Sequence, residues 1–315
     1  MTAPVISYHY PCPDGVFAAL AAHLRFAELG VTPVWVPNTV YSPRRLQDLH
    51  LQATQTLYML DFVGPAGFAQ AAAELGARVI LLDHHKTAFG MFEAPESRHP
   101  NLDVQLDMSR SGATISLGYF QPQVSEHLQK LFEYVEDADL WKWKLPDSKA
   151  FHAGLGSLKL EYDANKNPSI FQQLCALQLN TVIQKGHLAL KRQDELVSEA
   201  VRSAFPVQLG GSQGIKFRWG RCLGVRADGE LSQIRSTVGN ELAQASAEQG
   251  LRPIGVVAYI EEAMGDHSKI KVSLRSVGDE DTTIISQAFG GGGHRNASSF
   301  IVDTIEFESW IMLMR

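Results

Sequence analysis

Residues 80–85 read Ile-Leu-Leu-Asp-His-His, an apolar run that ends in three side chains able to hold metals or protons: Asp83, His84 and His85. The same thing happens twice upstream. Ile6-Ser7-Tyr8-His9 leads into Tyr10-Pro11-Cys12-Pro13-Asp14-Gly15, and Leu57-Tyr58-Met59-Leu60 ends in Asp61. One Asp at a strand end is ordinarily a helix cap or a turn former. His9, Asp14, Asp61 and His84 at successive strand ends, joined by Asp137, point instead to one polynuclear metal site on a sheet edge. Hard divalent ions such as Mn²⁺ and Mg²⁺ favour carboxylate, and imidazole is acceptable to Mn²⁺. A two-metal site needs a carboxylate that bridges ions roughly 3.5–4 Å apart. Asp61, alone at the end of its strand, is the best bridging candidate.

These residues need a parallel sheet to bring them together. Val5–His9, Pro33–Val36, Thr56–Leu60, Arg78–Leu82 and Val104–Leu106 read as strands. Asp14–Leu29, Ser42–Leu49 and Pro65–Leu75 read as the helices between them. The β-α-β-α rhythm predicts an α/β domain, and ligands in such sheets gather beyond the carboxyl ends of the strands. Ser111–Phe120 and Glu126–Val135 read as further helices. Ser109–Thr114 reads as a helix cap, with phosphate binding at that helix start as the alternative. The chain is mostly helical from Ile170 to Phe205. A second α/β pattern follows, with strands at Ile215–Trp219, Cys222–Val225, Ile254–Ile260, Ile270–Leu274 and Ser299–Val302, and helices at Leu231–Glu248, Thr282–Ala288 and Phe307–Arg315. The expected division is a catalytic domain over 1–185, a helical linker over 186–209 and a smaller domain over 210–315.

Composition narrows the class. A length of 315 residues suits two domains. A formal net charge of −6 argues against a broad basic surface for long duplex nucleic acid. The three cysteines, Cys12, Cys175 and Cys222, are too scattered for a disulfide framework or a zinc ribbon. No charged leader or long apolar run stands out, so a cytoplasmic chain without a membrane span is expected.

A second signal lies at Gly290-Gly291-Gly292-Gly293-His294-Arg295-Asn296-Ala297. Consecutive glycines let backbone N–H groups approach an anion, and His294 and Arg295 can add phosphate contacts. A flexible loop is the bland alternative. Trp141 and Trp143, alternating with Lys142 and Lys144, read as a core indole beside solvated lysines, with base stacking as the alternative.

Taken in order, these motifs resemble the DHH phosphoesterase superfamily with its DHH-associated C-terminal domain, over nearly the whole chain. Asp83-His84-His85 matches the eponymous motif. His9 to Asp14 is similar to the first motif, Asp61 to the second, and Asp137 in Glu136-Asp137-Ala138-Asp139-Leu140-Trp141 to the fourth. Gly290–Ala297 resembles the C-terminal signature. The resemblance implies a first Mn²⁺ on His9 and Asp61 and a second on Asp14, Asp61, His84 and Asp137, with Asp139 the competing choice for the last ligand. It also implies that His85 faces the scissile phosphate and that Asp83 orients a neighbouring histidine. Arg275, Ser276 and the box residues Gly291, Gly292, Gly293, His294 and Arg295 would bind substrate. The family's first motif usually carries two acids, and here Cys12 stands in the first position. It is either a poor thiolate ligand or a small residue that ligates nothing.

The expected architecture is therefore a mainly parallel DHH domain joined by helices to a smaller α/β domain, with substrate in the cleft between them. The expected activity is a manganese-dependent, exonuclease-type hydrolysis of short oligonucleotides or dinucleotides. A phosphomonoesterase acting on 3′,5′-bisphosphate nucleotides and a degenerate nucleotide-binding member remain as alternatives. A homodimer is compatible with the sequence.

Overall fold

The computed structural model describes residues 2–40, 42–92, 99–261 and 264–312. The chain divides into two compact units between Leu190 and Lys191.

The first unit begins with β1 (Val5–His9), α1 (Pro13–Glu28), β2 (Val34–Asn38), β3 (Thr56–Leu60), α2 (Phe68–Glu74), β4 (Arg78–Asp83), α3 (Lys86–Phe92) and β5 (Leu102–Leu106). It continues with α4 (Gly112–Phe120), α5 (Glu126–Asp139), α6 (Ser148–Ser157) and α7 (Ile170–Cys175), and α8 (Leu179–Arg202) runs across the division. The five strands pair in parallel in the order β2-β1-β3-β4-β5. Alternate residues serve opposite faces. Ile6, Tyr8, Leu60, Ile80 and Leu82 pack under α1, α4 and α5. Val5, Leu57, Met59, Val79 and Leu81 pack against α2. Both faces are covered, which is why these strands read as nearly continuous apolar runs. The order reverses at β1 and β3, and the strand ends there open a crevice for ligands.

The second unit contains β6 (Phe205–Gln208), α9 (Gly211–Lys216), β7 (Arg221–Arg226), α10 (Arg235–Glu248), β8 (Ile254–Tyr259) and β9 (Lys269–Ser276). It ends with α11 (Thr283–Ala288), β10 (Gly292–His294), β11 (Ala297–Asp303) and α12 (Thr304–Glu308). Its mixed sheet runs β10-β11-β9-β8-β7-β6, with only β7 and β8 parallel.

Several sequence expectations shift. Phe205–Gln208, expected within the helical linker, is an edge strand of the second sheet. Ile215–Trp219, expected as a strand, lies in and after α9. Left-handed Gly210 opens that helix, and Trp219 packs so close to Gly210 that a β-carbon there would lie 2.4 Å from its ring. The alternation of Ile215, Phe217 and Trp219 therefore reflects one buried ring and two exposed side chains rather than a pleat. Ser42–Leu49 yields only a short 3₁₀ turn at Leu46–Leu49. The C-terminal helix begins earlier, at Thr304, and residues 313–315 lie outside the described residues. No helix among the described residues is long and apolar enough to cross a membrane.

Candidate metal centre

β1, β3 and β4 end side by side, so His9, Asp61 and Asp83–His85 share one sheet edge. The first turn of α1 lies directly on the end of β1. A β-carbon on Gly15 would sit 2.2 Å from the His9 carbonyl oxygen, so only glycine lets Asp14 approach this closely. Asp61 takes a left-handed backbone, φ 60°, which Asp tolerates better than bulky residues. Its N–H still donates to the Leu82 carbonyl at 2.9 Å, which ties it to β4.

Asp61 faces in two directions. Its Oδ2 lies 3.2 Å from His9 Nδ1. Its Oδ1 lies 3.2 Å from His84 Nε2 and 3.7 Å from His85 Nδ1. His84 Nε2 is also 3.6 Å from Asp14 Oδ2 and 3.4 Å from Asp139 Oδ2. The potential ligand atoms fall into two groups, each gathered within 4.8 Å: His9, Asp61 and His85, and Asp14, His84 and Asp139. Asp61 Oδ1, His84 Nε2 and Asp139 Oδ2 are buried without a hydrogen-bond partner. Buried polar atoms rarely stay unsatisfied. Three of them converge here in nitrogen and carboxylate groups that suit divalent cations, so the donor set fits metal ions.

The electrostatics agree. Burial, then the charges of Asp61 and Asp139, push the Asp14 carboxyl well above its usual range, against hydrogen bonds from Ser111 and Ala113. Burial and Asp61 raise Asp139 as well. Burial alone would raise Asp61, but the facing imidazoles of His84 and His9 hold it at about 2. Burial opposes a charged His84, yet the Asp61 and Asp139 carboxylates outweigh it and raise its pKa. For His85, the hydrogen bond to Asp83 outweighs burial and, with Asp61, lifts it to about 9. Three carboxyls crowded together in this way stay ionised together only with positive charge between them.

Neighbouring groups fix the orientations. Asp83 Oδ1 accepts from the His84 and His85 N–H groups at 2.6 and 2.8 Å, and lies 2.8 Å from His85 Nδ1. It therefore orients His85 by side chain and His84 by backbone. Asp14 accepts from the Gly112 and Ala113 N–H groups at 2.7 and 2.9 Å. The first N–H groups of α4 are thus committed to a carboxylate, as the dipole of a helix start favours. The phosphate alternative for this helix start gives way to a positioning role. Ser111 caps α4, and its N–H and the Thr114 hydroxyl donate to Glu136.

Asp137 is not where the sequence motif suggested. Its carboxylate points away from the histidines and accepts from the N–H groups of Lys144 at 3.0 and 3.1 Å and Leu145 at 3.4 Å. Asp139, two residues on and therefore on another side of α5, takes the position beside His84. The signal was present in the sequence. Leu128, Leu131, Phe132 and Val135 form the core-facing stripe of α5, and Asp139 continues it at i+4 from Val135. Cys12 caps the start of α1 and belongs to neither ligand group. Burial, with Asp61 and Asp14 beside it, pushes its thiol far up. Trp141, read as core, is 78% exposed. Lys142, read as solvated, is exposed and also bonds Glu136 at 2.9 Å and the Ser109 carbonyl at 3.2 Å.

In the second unit, Gly292–His294 is an edge strand paired with Ser299–Ala297, not an open nest. Gly291 is required because a β-carbon would lie 2.1 Å from the Ser299 carbonyl oxygen. Ser276 is buried and occupied: its hydroxyl donates to the Glu280 carbonyl and accepts from Asn296. Arg295 pairs with Asp279. Arg275 donates to Ser236 and to the Leu274 carbonyl, and His294 is exposed.

No family model matches the chain. An uncharacterized protein of Acanthamoeba polyphaga mimivirus is 24% identical over 314 residues, spanning 96% of this chain and 68% of that protein. Among solved structures, the pGpG-specific phosphodiesterase PggH from Vibrio cholerae superposes with a TM-score of 0.50 at 12% identity, covering 98% of this chain and 95% of the other. The fold is that of this phosphodiesterase. RecJ from Thermus thermophilus, solved with Mg²⁺, aligns with a TM-score of 0.41 at 14% identity, over 97% of this chain and 48% of its own. On this fold the triplet Asp83-His84-His85 closes β4 at the centre of the ligand cluster.

Proposed function

We propose that the protein is a metal-dependent phosphoesterase that hydrolyses small nucleotidic phosphodiesters, short oligonucleotides or dinucleotides, with two divalent ions, Mn²⁺ the expected pair. One observation carries this reading. Two histidine-carboxylate groups meet at Asp61, which belongs to one and lies 3.2 Å from His84 of the other, and three of their ligand atoms are buried without partners. His9 and Asp61 would hold one ion, and Asp14, His84 and Asp139 the other, with Asp61 shared and His85 beside the first ion to face the scissile phosphate. Bound there, the ions supply a nucleophile at neutral pH and neutralise phosphoryl charge. Asp83 holds His85 Nδ1, which fixes the ring and directs its other nitrogen away from Asp83. Gly112 and Ala113 hold Asp14. In the second unit Arg275 and His294 are proposed substrate contacts, whereas the buried Ser276 hydroxyl serves the local turn.

The −6 net charge supports a small substrate over long duplex nucleic acid. The test is an incubation with Mn²⁺ and 5′-labelled RNAs of graded short length, with adenosine 3′,5′-bisphosphate and a cyclic dinucleotide alongside. Asp61→Ala should abolish turnover and leave the fold intact by circular dichroism. Substantial residual turnover in that variant would remove Asp61 from the bridging role. Release of phosphate from the bisphosphate alone would shift the reading to a monoesterase.

A further inference from the structure

The segment that follows α5 is held in a costly shape. The Asp137 carbonyl accepts from the Lys142 and Trp143 N–H groups at 2.9 and 3.4 Å, and its carboxylate accepts from Lys144 and Leu145. Trp141 and Trp143 both adopt left-handed backbone, with φ of 53° and 49°. Bulky residues seldom do so, and such conformations persist only where surrounding bonds enforce them. The result is an indole, Trp141, held 78% exposed two residues after Asp139.

The rings form a row. Trp141 and Trp143 meet edge to face, with centroids 5.5 Å apart and planes at 81°. Trp143 meets His152 at 6.1 Å and 80°. His152 lines a small pocket of about 40 Å³ with Asp14 and Asp139, walled by Pro13, Phe151 and Leu155. The row therefore leads from the candidate metal centre to solvent. Lys144 is exposed, and Lys149 Nζ lies 5.8 Å from the Trp143 ring.

We propose that Trp141, backed edge to face by Trp143, forms a stacking wall for the base of the nucleotide whose phosphate lies at the metal centre. It would then select nucleotidic esters over simple ones. The inference rests on the phosphoesterase reading and adds its specificity element. Indoles stack any base because every base presents a π-face, and a wall fixed in advance loses little freedom on binding. The nearby lysines match a phosphate-bearing strand rather than an apolar protein surface.

The test is calorimetric binding of AMP and of ribose 5-phosphate to the Mn²⁺-loaded full chain. AMP should bind about tenfold more tightly, the difference reading the base alone. In Trp141→Ala the ratio should fall towards one, and Trp141→Phe should keep most of it. A ratio near one in the wild type, or a ratio unchanged in Trp141→Ala, overturns the proposal. A ratio near one joined to Trp141-dependent self-association in sedimentation reassigns the wall to a protein contact. Hydrolysis of bis(4-nitrophenyl) phosphate, measured separately, decides the phosphoesterase reading, so the two ideas fail independently.

Discussion

The two carboxylates of the fourth motif divide their labour. Asp139 stands 3.4 Å from His84, whereas Asp137 shapes the loop that follows. Asp139→Asn should therefore weaken Mn²⁺ binding at least about tenfold, read by calorimetry, with little loss of thermal stability. Asp137→Asn should do the reverse. It replaces one accepting oxygen by a donor facing backbone N–H groups and should cost about 1–3 kcal/mol of stability while keeping metal affinity. Equal loss of metal affinity in both variants would contradict this division. His9, Asp61 and His84 were legible because strand ends are legible, and Asp14 because it opens the helix that follows β1. Asp139 was harder, because an aromatic four places after Asp137 weighed more heavily than the helical period that marks Asp139. Cys12 was ambiguous in sequence, because only the fold shows which groups surround its thiol.

At the scale of elements, α4 is the part that sequence patterning underrates. Its Ser111 cap was visible, but not what the cap delivers. Gly112 lies so close to the centre that an added β-carbon would stand 2.6 Å from Asp61 Cβ and 2.9 Å from Asp14 Oδ2. Gly112→Ala should displace both carboxylates and lower metal affinity by more than tenfold, whereas Gly156→Ala, with open space around it, should leave affinity unchanged. Similar affinities in the two variants would detach α4 from the centre. The five strands of the first unit were readable because both sheet faces are buried. α9 and β6 were not, since the first depends on left-handed Gly210 and the second on pairing with a strand that follows it.

At the scale of the whole molecule, the clustered charges set a pH profile. The raised pKa values of Asp14 and Asp139 contribute stability below about pH 4 that is lost as pH rises through their folded values. His85, at about 9, contributes stability present below about pH 6.5 and lost towards pH 9, and the raised His84 acts in the same direction. Asp61, at about 2, acts oppositely, but its change is complete by about pH 4. Every raised group therefore lowers stability as pH rises, the two carboxyls from about pH 4 upward and His85 between about pH 6.5 and 9. Chelated protein should show a Tm that falls as pH rises through this window, by differential scanning calorimetry. Excess Mn²⁺ at a hundred times its Kd should restore about 2.7 kcal/mol near neutrality. A flat profile without metal would contradict the clustering.

The left-handed segment after α5 has an optical consequence. Of the five tryptophans, Trp219 and Trp310 are buried, Trp35 and Trp143 are half-buried, and Trp141 stands in solvent. An indole in water emits at longer wavelength than one in an apolar core, so the red side of the tryptophan emission band comes mainly from Trp141. Its emission reads events two residues from Asp139 with no dye attached, and a paramagnetic ion seated at the centre dims that one colour first.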